Sequence, residues 1–111
     1  LNLKEIGKHL NISLKKKTYE FIGLFKISKH ACKLLKDTFN HLDQKLDKKA
    51  HFQNSLTWEK AYLTDFFQYI VSENILKINA DIISKGWAEF DTAEDFHRIK
   101  NIIETQHLNS L

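Results

Sequence analysis

Residues 19–28 read YEFIGLFKIS, a run in which Tyr19, Phe21, Gly23, Phe25 and Ile27 fall on one side of an extended chain and Ile22 and Leu24 on the other. A strand that is apolar on both faces belongs in a sheet interior, so this stretch commits the chain to a layered architecture. Gly23 interrupts the run, and glycine within a strand often marks close approach by a ligand or another backbone. Residues 75–83, ILKINADII, are β-branched and nearly alternating, which predicts a further strand, and Ser84 to Gly86 turn the chain. Between these two runs the apolar period changes from two to that of a helix. Ala31, Leu34, Leu35, Phe39 and Leu42 predict an amphipathic helix over 29–42. A second helix is predicted within 56–72, where Trp58, Tyr62, Phe66 and Ile70 form one stripe flanked by Leu63 and Phe67, best explained by core packing. Residues 43–57 are charged and then polar, and read as a loop with room for a short helix. The order of elements is that of an α/β layer structure rather than a bundle.

Residues 1–8 alternate imperfectly and fit either a strand or the first half of a helix-turn-helix, since LKEIGKHLNIS carries Gly7 and a polar turn at Asn11 in suitable places. Lys15, Lys16 and Lys17 then stand where a recognition helix needs an apolar packing residue. This basic run reads as a solvated loop rather than a nucleic-acid contact, and the net charge of +3 is mild.

At 111 residues the chain makes at most one modest domain, and its 42% apolar share is sufficient for a core. No apolar run is long enough to cross a bilayer and no signal-peptide pattern opens the sequence, so a soluble cytoplasmic protein is expected. Cys32 is the single cysteine, which excludes an internal disulfide and a cysteine-rich zinc site, and its apolar helical neighbours mark it as a packing residue. The chain lacks methionine and begins at Leu1, so it is expected to start inside a longer protein.

The chemistry-bearing stretch is residues 86–103, GWAEFDTAEDFHRIKNII. Glu89 and Asp91 alternate along a short extended run that enters a helix at once, which would project both carboxylates from one side. Thr92 is placed to cap that helix, Asp95 to reach back in a capping-box arrangement, and Glu94 adds negative charge near the positive helix end. Phe96, Ile99 and Ile103 would give the helix a buried face. Two carboxylates beside a capped helix suit a hard divalent cation such as magnesium, which takes few protein oxygens and keeps places for water and phosphate. The competing reading of the same residues is a solvated turn. The six histidines, His9, His30, His41, His51, His97 and His107, are not paired at metal-ligand spacing and carry no assigned role.

Several of these segments, in order, resemble one family. Trp87, Glu89, Phe90, Asp91, Thr92, Glu94 and Asp95 match a closing run of the type W-x-E-I-D-T-x-E-D. Ala61 to Asp65 with Gln68 match a helix of the type A-Y-L-T-D-x-x-Q, and Glu20 to Leu24 a strand of the type E-F-I-G-L. The chain is thus similar to the C-terminal half of the nucleotidyltransferase domain of nucleoside-diphosphate-sugar pyrophosphorylases, in particular to the small cytidylyltransferases that activate phosphocholine or 2-aminoethylphosphonate. The resemblance implies a partial Rossmann-like sheet with flanking amphipathic helices, magnesium as cofactor, and CTP and a small phosphorylated or phosphonate acceptor as partners. It implies that Glu89 and Asp91 help hold the magnesium, and that Lys8, in a segment similar to one presenting a phosphate-contacting lysine, faces a phosphoryl group. Glu20 and Asp65 are implied as contacts to the acceptor or as positioning residues. Trp87 either packs beneath the site or helps form a pocket for a cationic headgroup, with packing favoured.

The chain departs from the family in one large respect. Such domains open with a glycine-rich phosphate loop and supply a further metal-binding aspartate, whereas only Gly7, Gly23 and Gly86 occur here. Nucleotide binding is therefore expected from a missing N-terminal half of the domain, and the 111 residues alone are expected to be inactive and prone to self-association through unpaired apolar edges. The alternative function is a small non-catalytic binding module, a helix-turn-helix DNA binder or a truncated regulatory relative, which would require residues 19–28 to be helical.

Overall fold

The structure, a computed structural model, describes residues 1–8, 10 and 17–105. Two compact units divide the chain, Leu1–Ala80 and Asp81–Leu111. The first contains α1 (Lys29–Lys45), a 3₁₀ turn (Trp58–Lys60) and α2 (Leu63–Ser72), and the second contains α3 (Ala93–Glu104).

α1 begins where Ser28 caps it, the Ser28 Oγ accepting from the Ala31 N–H at 3.1 Å. It runs past the predicted end at Leu42 to Lys45, a cation favourably placed at the negative helix end. The next residues fold back tightly. Asp47 Oδ1 accepts from the Lys49 N–H at 2.8 Å, Gln53 takes a left-handed φ of 51° in the turn between Phe52 and Ser55, and the Trp58 N–H bonds to the Ala50 carbonyl at 2.7 Å. That path lays Phe52 and Trp58 over Leu42, and these three make the core of the unit, with Leu46, Ala61, Phe66 and Tyr69 packed against it. The Phe52 and Trp58 rings meet edge to face, 4.7 Å apart, and the indole N–H donates to Asp43 Oδ1 at 2.8 Å.

α2 is shorter than the helix predicted within 56–72 because Tyr62 sits at its N-cap in an extended conformation, its N–H bonded to Asp65 Oδ2 at 2.9 Å. The stripe expected to run through Trp58 is accordingly broken: Trp58 lies in the 3₁₀ turn, Tyr62 is exposed, and the buried apolar residues of α2 are Phe67 and Ile70. The helix ends in a Schellman arrangement. Asn74 takes a left-handed φ of 53°, its N–H bonds to the Val71 carbonyl at 3.1 Å, and the Ile75 N–H bonds to the Ile70 carbonyl at 3.0 Å.

The expected α/β sheet is corrected by the structure, since the described residues form helices and isolated bridges but no sheet. Residues 19–28 have no regular secondary structure, bend at Gly23 (φ 79°), and leave Tyr19, Phe21, Leu24, Phe25 and Ile27 exposed. A strand needs a partner for its N–H and C=O groups, and no described segment provides one. Residues 75–83 yield a single antiparallel bridge, Asn2 to Asn79, flanked by bonds from the Leu3 N–H to the Ile78 carbonyl (2.8 Å) and the Ala80 N–H to the Leu1 carbonyl (2.7 Å). Of the helix-turn-helix alternative, residues 1–8 are not helical, and residues 11–16 lie outside the described residues. Cys32, expected to pack, is exposed.

In the second unit, residues 81–92 lack regular structure and Gly86 has a φ of 82°. α3 begins at the predicted cap: Thr92 Oγ1 accepts from the Asp95 N–H at 3.1 Å and donates to Asp95 Oδ2 at 2.9 Å. Of its three expected apolar contacts, Ile99 is buried, while Phe96 and Ile103 are about half exposed.

Candidate functional site

The predicted site residues divide between the two units. In the first, Lys8 is exposed and its ammonium group lies 3.6 Å from the centroid of the Tyr62 ring. A lysine over an exposed tyrosine face is worth roughly 0.5–1 kcal/mol, enough to bias a side chain without immobilising it. Tyr62 is placed by Asp65, a buried carboxylate that accepts from the Tyr62 backbone N–H. One turn further along α2, Gln68 Oε1 accepts from the Ile6 N–H at 2.8 Å, tying the segment that bears Lys8 to the helix. The A-Y-L-T-D-x-x-Q pattern and residues 6–8 therefore come together: Asp65 sets Tyr62, Tyr62 supports Lys8, and Gln68 anchors Ile6. Glu20, on the irregular segment, is exposed and outside this bonded set.

Tyr62 and Gln68 are the residues that sequence reasoning passed over as site elements. Both lie within the quoted helix pattern, and the available signal was their spacing to Asp65. Each lies three residues from Asp65, so the three positions fall on successive turns at the start of one helix.

In the second unit, Trp87 is half-buried, and Glu89 and Asp91 are exposed, without regular secondary structure, immediately before α3. Neither carboxylate accepts a hydrogen bond or pairs with a cation among the described residues. The nearby acids differ in this respect. Asp95 is held below the usual carboxylate range, first by the Thr92 hydroxyl bond and then by the Asp91 and Thr92 backbone and Arg98. Asp95 is thus occupied with the helix start, while Glu89 and Asp91 keep their oxygens available.

Hard, unpaired carboxylate oxygens are the donors that magnesium takes, usually one or two of them alongside phosphate and water. Among the described residues no cluster of three or more His, Cys, Asp or Glu is arranged to hold a metal without further ligands. Two carboxylates completed by a phosphate-bearing ligand remain compatible with that observation. No helix among the described residues is long and apolar enough to cross a membrane.

No family model, curated protein or solved structure matches the chain.

Proposed function

We propose that these residues form the acceptor-side, metal-contributing part of a cytoplasmic, magnesium-dependent cytidylyltransferase, joining CTP to a phosphonate or phosphocholine-type acceptor with release of pyrophosphate. The observation that carries this reading is the run from Trp87 to Asp95, in which Thr92 and Asp95 serve the helix start and leave Glu89 and Asp91 exposed and unpaired before it. A solvated turn accounts for the same exposure; the magnesium reading adds a role for the two carboxylates that the Thr92–Asp95 cap leaves free.

The reaction forms a bond between an acceptor phosphate or phosphonate oxygen and the α-phosphorus of CTP, and breaks the bond from that phosphorus to pyrophosphate. It demands alignment and charge neutralisation more than covalent help from protein. Magnesium, when bound, would supply charge neutralisation on the phosphate oxygens. Glu89 and Asp91 would hold it. Within the first unit, and separately from those carboxylates, Lys8 over Tyr62 is a candidate to face a phosphoryl group, with Asp65 as the positioning residue behind Tyr62. Glu20 remains a candidate acceptor contact, and Trp87, half-buried, suits a packing role beside the carboxylates. The three glycines offer no glycine-rich phosphate loop, so this reading assigns the chain the acceptor and metal side of the reaction and not the nucleotide site.

The metal arm can be tested on the chain itself with manganese as a paramagnetic stand-in for magnesium. Amide signals around Glu89 and Asp91 should broaden selectively, and E89Q/D91N should abolish the effect while the α3 signals persist. Uniform broadening, or none, would sink the assignment. CTP-dependent pyrophosphate release, assayed with phosphocholine and 2-aminoethylphosphonate, should be absent from this polypeptide alone; its detection would overturn that assignment.

A further inference from the structure

α1, α2 and the residues just before α1 enclose an open trough of about 370 Å³, walled by Phe25, Ile27, Leu35, Phe39, Phe66 and Phe67. Its walls are braced by ring contacts, Phe25 edge-on to Phe67 at 5.5 Å and Phe39 edge-on to Phe66 at 6.0 Å. Bracing does not bury them: Phe25 and Phe39 are 49% and 46% exposed. At one end the apolar wall continues into a basic surface, because Ile27 and Lys36 also border Lys29, Cys32 and Lys33. Lys29, Lys33 and Lys36 follow helical spacing and share one face of α1, with Asp37 the lone carboxylate bordering them. None of the three lysines forms an ion pair among the described residues.

We propose that this trough is the docking site for an acidic amphipathic helix of a partner protein, its apolar side chains seated among the rings and its carboxylates against the α1 lysines. The trough is too open to enclose a small molecule, which in a formed pocket loses most of its surface to the protein. An apolar groove between two helices is the setting in which one face of a third helix is recognised. Charge selects the partner. Three unpaired lysines against one carboxylate repel a basic helix and attract an acidic one. A nucleic-acid backbone would leave the aromatic walls uncovered, and a flat lipid surface does not enter a concave trough. The residues involved are separate from Lys8, Asp65, Glu89 and Asp91, so the inference stands or falls independently of the catalytic reading.

The experiment uses a fluorescein-labelled helical peptide with leucines at i, i+3, i+4 and i+7 and glutamates elsewhere, and a counterpart with lysines replacing the glutamates. Anisotropy should show binding of the acidic peptide only, weakening as salt rises from about 50 to about 300 mM. K33E/K36E, on an exposed face and with an unchanged helix signal, should weaken binding by about tenfold or more. F39S should also weaken it, and if that variant loses structure, the lysine variant decides. Absence of binding, equal binding of the basic peptide, indifference to K33E/K36E, or preferential binding to phosphatidylserine vesicles or single-stranded RNA overturns the proposal.

Discussion

Trp58 joins three contacts in the core of the first unit. Its ring meets Phe52 at 4.7 Å and Phe39 at 5.5 Å, its indole N–H is satisfied by Asp43, and it remains only 8% exposed. Trp58→Ala should cost about 3–5 kcal/mol, the range for removing a large buried aromatic side chain. Asp43→Ala should cost only about 1 kcal/mol, since it removes one hydrogen bond at a site that water can reach. Urea denaturation followed by far-ultraviolet circular dichroism measures both, and equal losses would show that the hydrogen bond, not the packing, holds the indole. Asp95 supports a second residue-level expectation. Its carboxyl is held below the usual range chiefly by the Thr92 hydroxyl, so its folded-state pKa lies under its unfolded value. The associated stability is present above the unfolded pKa and is lost as pH falls through the folded one. The Asp95 side-chain carbon, followed by NMR against pH, should titrate below an ordinary aspartate, and Thr92→Val should move the midpoint upward. An unchanged midpoint in that variant would remove the hydroxyl as the cause.

At the scale of elements, α2 is defined by its two ends. Asp65 satisfies the Tyr62 N–H at the start, and Asn74 adopts the left-handed conformation that closes the end. Asp65→Ala should lower stability by about 0.5–2 kcal/mol through loss of the cap. Asn74→Gly should be tolerated, whereas Asn74→Val should be destabilising by at least about 1 kcal/mol, because a β-branched residue is strained at positive φ. Comparing the two Asn74 variants in urea separates backbone strain from loss of the asparagine side chain. These ends also explain what the sequence made legible. The Thr92 cap with Asp95 behind it, and the apolar period that identifies α1, were readable because a helix satisfies its backbone within its own residues. Residues 19–28 and 75–83 have strand composition, but a strand exists only if another chain segment completes its hydrogen bonds, and that information is not local. Tyr62 shows the same limit at smaller scale. Its place in an apolar stripe suggested a buried helical residue, while the Asp65 bond made it the exposed cap beneath Lys8.

For the molecule as a whole, the exposed apolar row at Tyr19, Phe21 and Leu24, which lies outside the trough lining, has a physical consequence of its own. Its side chains are aromatic or aliphatic and its backbone has no strand partner among the described residues, so it combines an apolar patch with free peptide groups. Such a surface favours association with another copy even though α1 and α2 fold locally. The isolated chain should therefore give a helical circular dichroism spectrum without a sheet component when dilute, and its sedimentation coefficient should rise with concentration. Replacing Leu24, which is 79% exposed, by lysine disrupts the row without opening the Leu42, Phe52 and Trp58 core. Leu24→Lys should suppress the concentration dependence and leave the dilute spectrum unchanged. If association were driven elsewhere, the variant would sediment like the parent chain. If the row were needed to hold α1 in place, the helical signal would fall with the substitution. A sheet signal that grows with concentration in the parent chain and disappears in Leu24→Lys would identify the association as pairing of residues 19–28 between copies, connecting the strand-like composition of that run to the partner it lacks within the described chain.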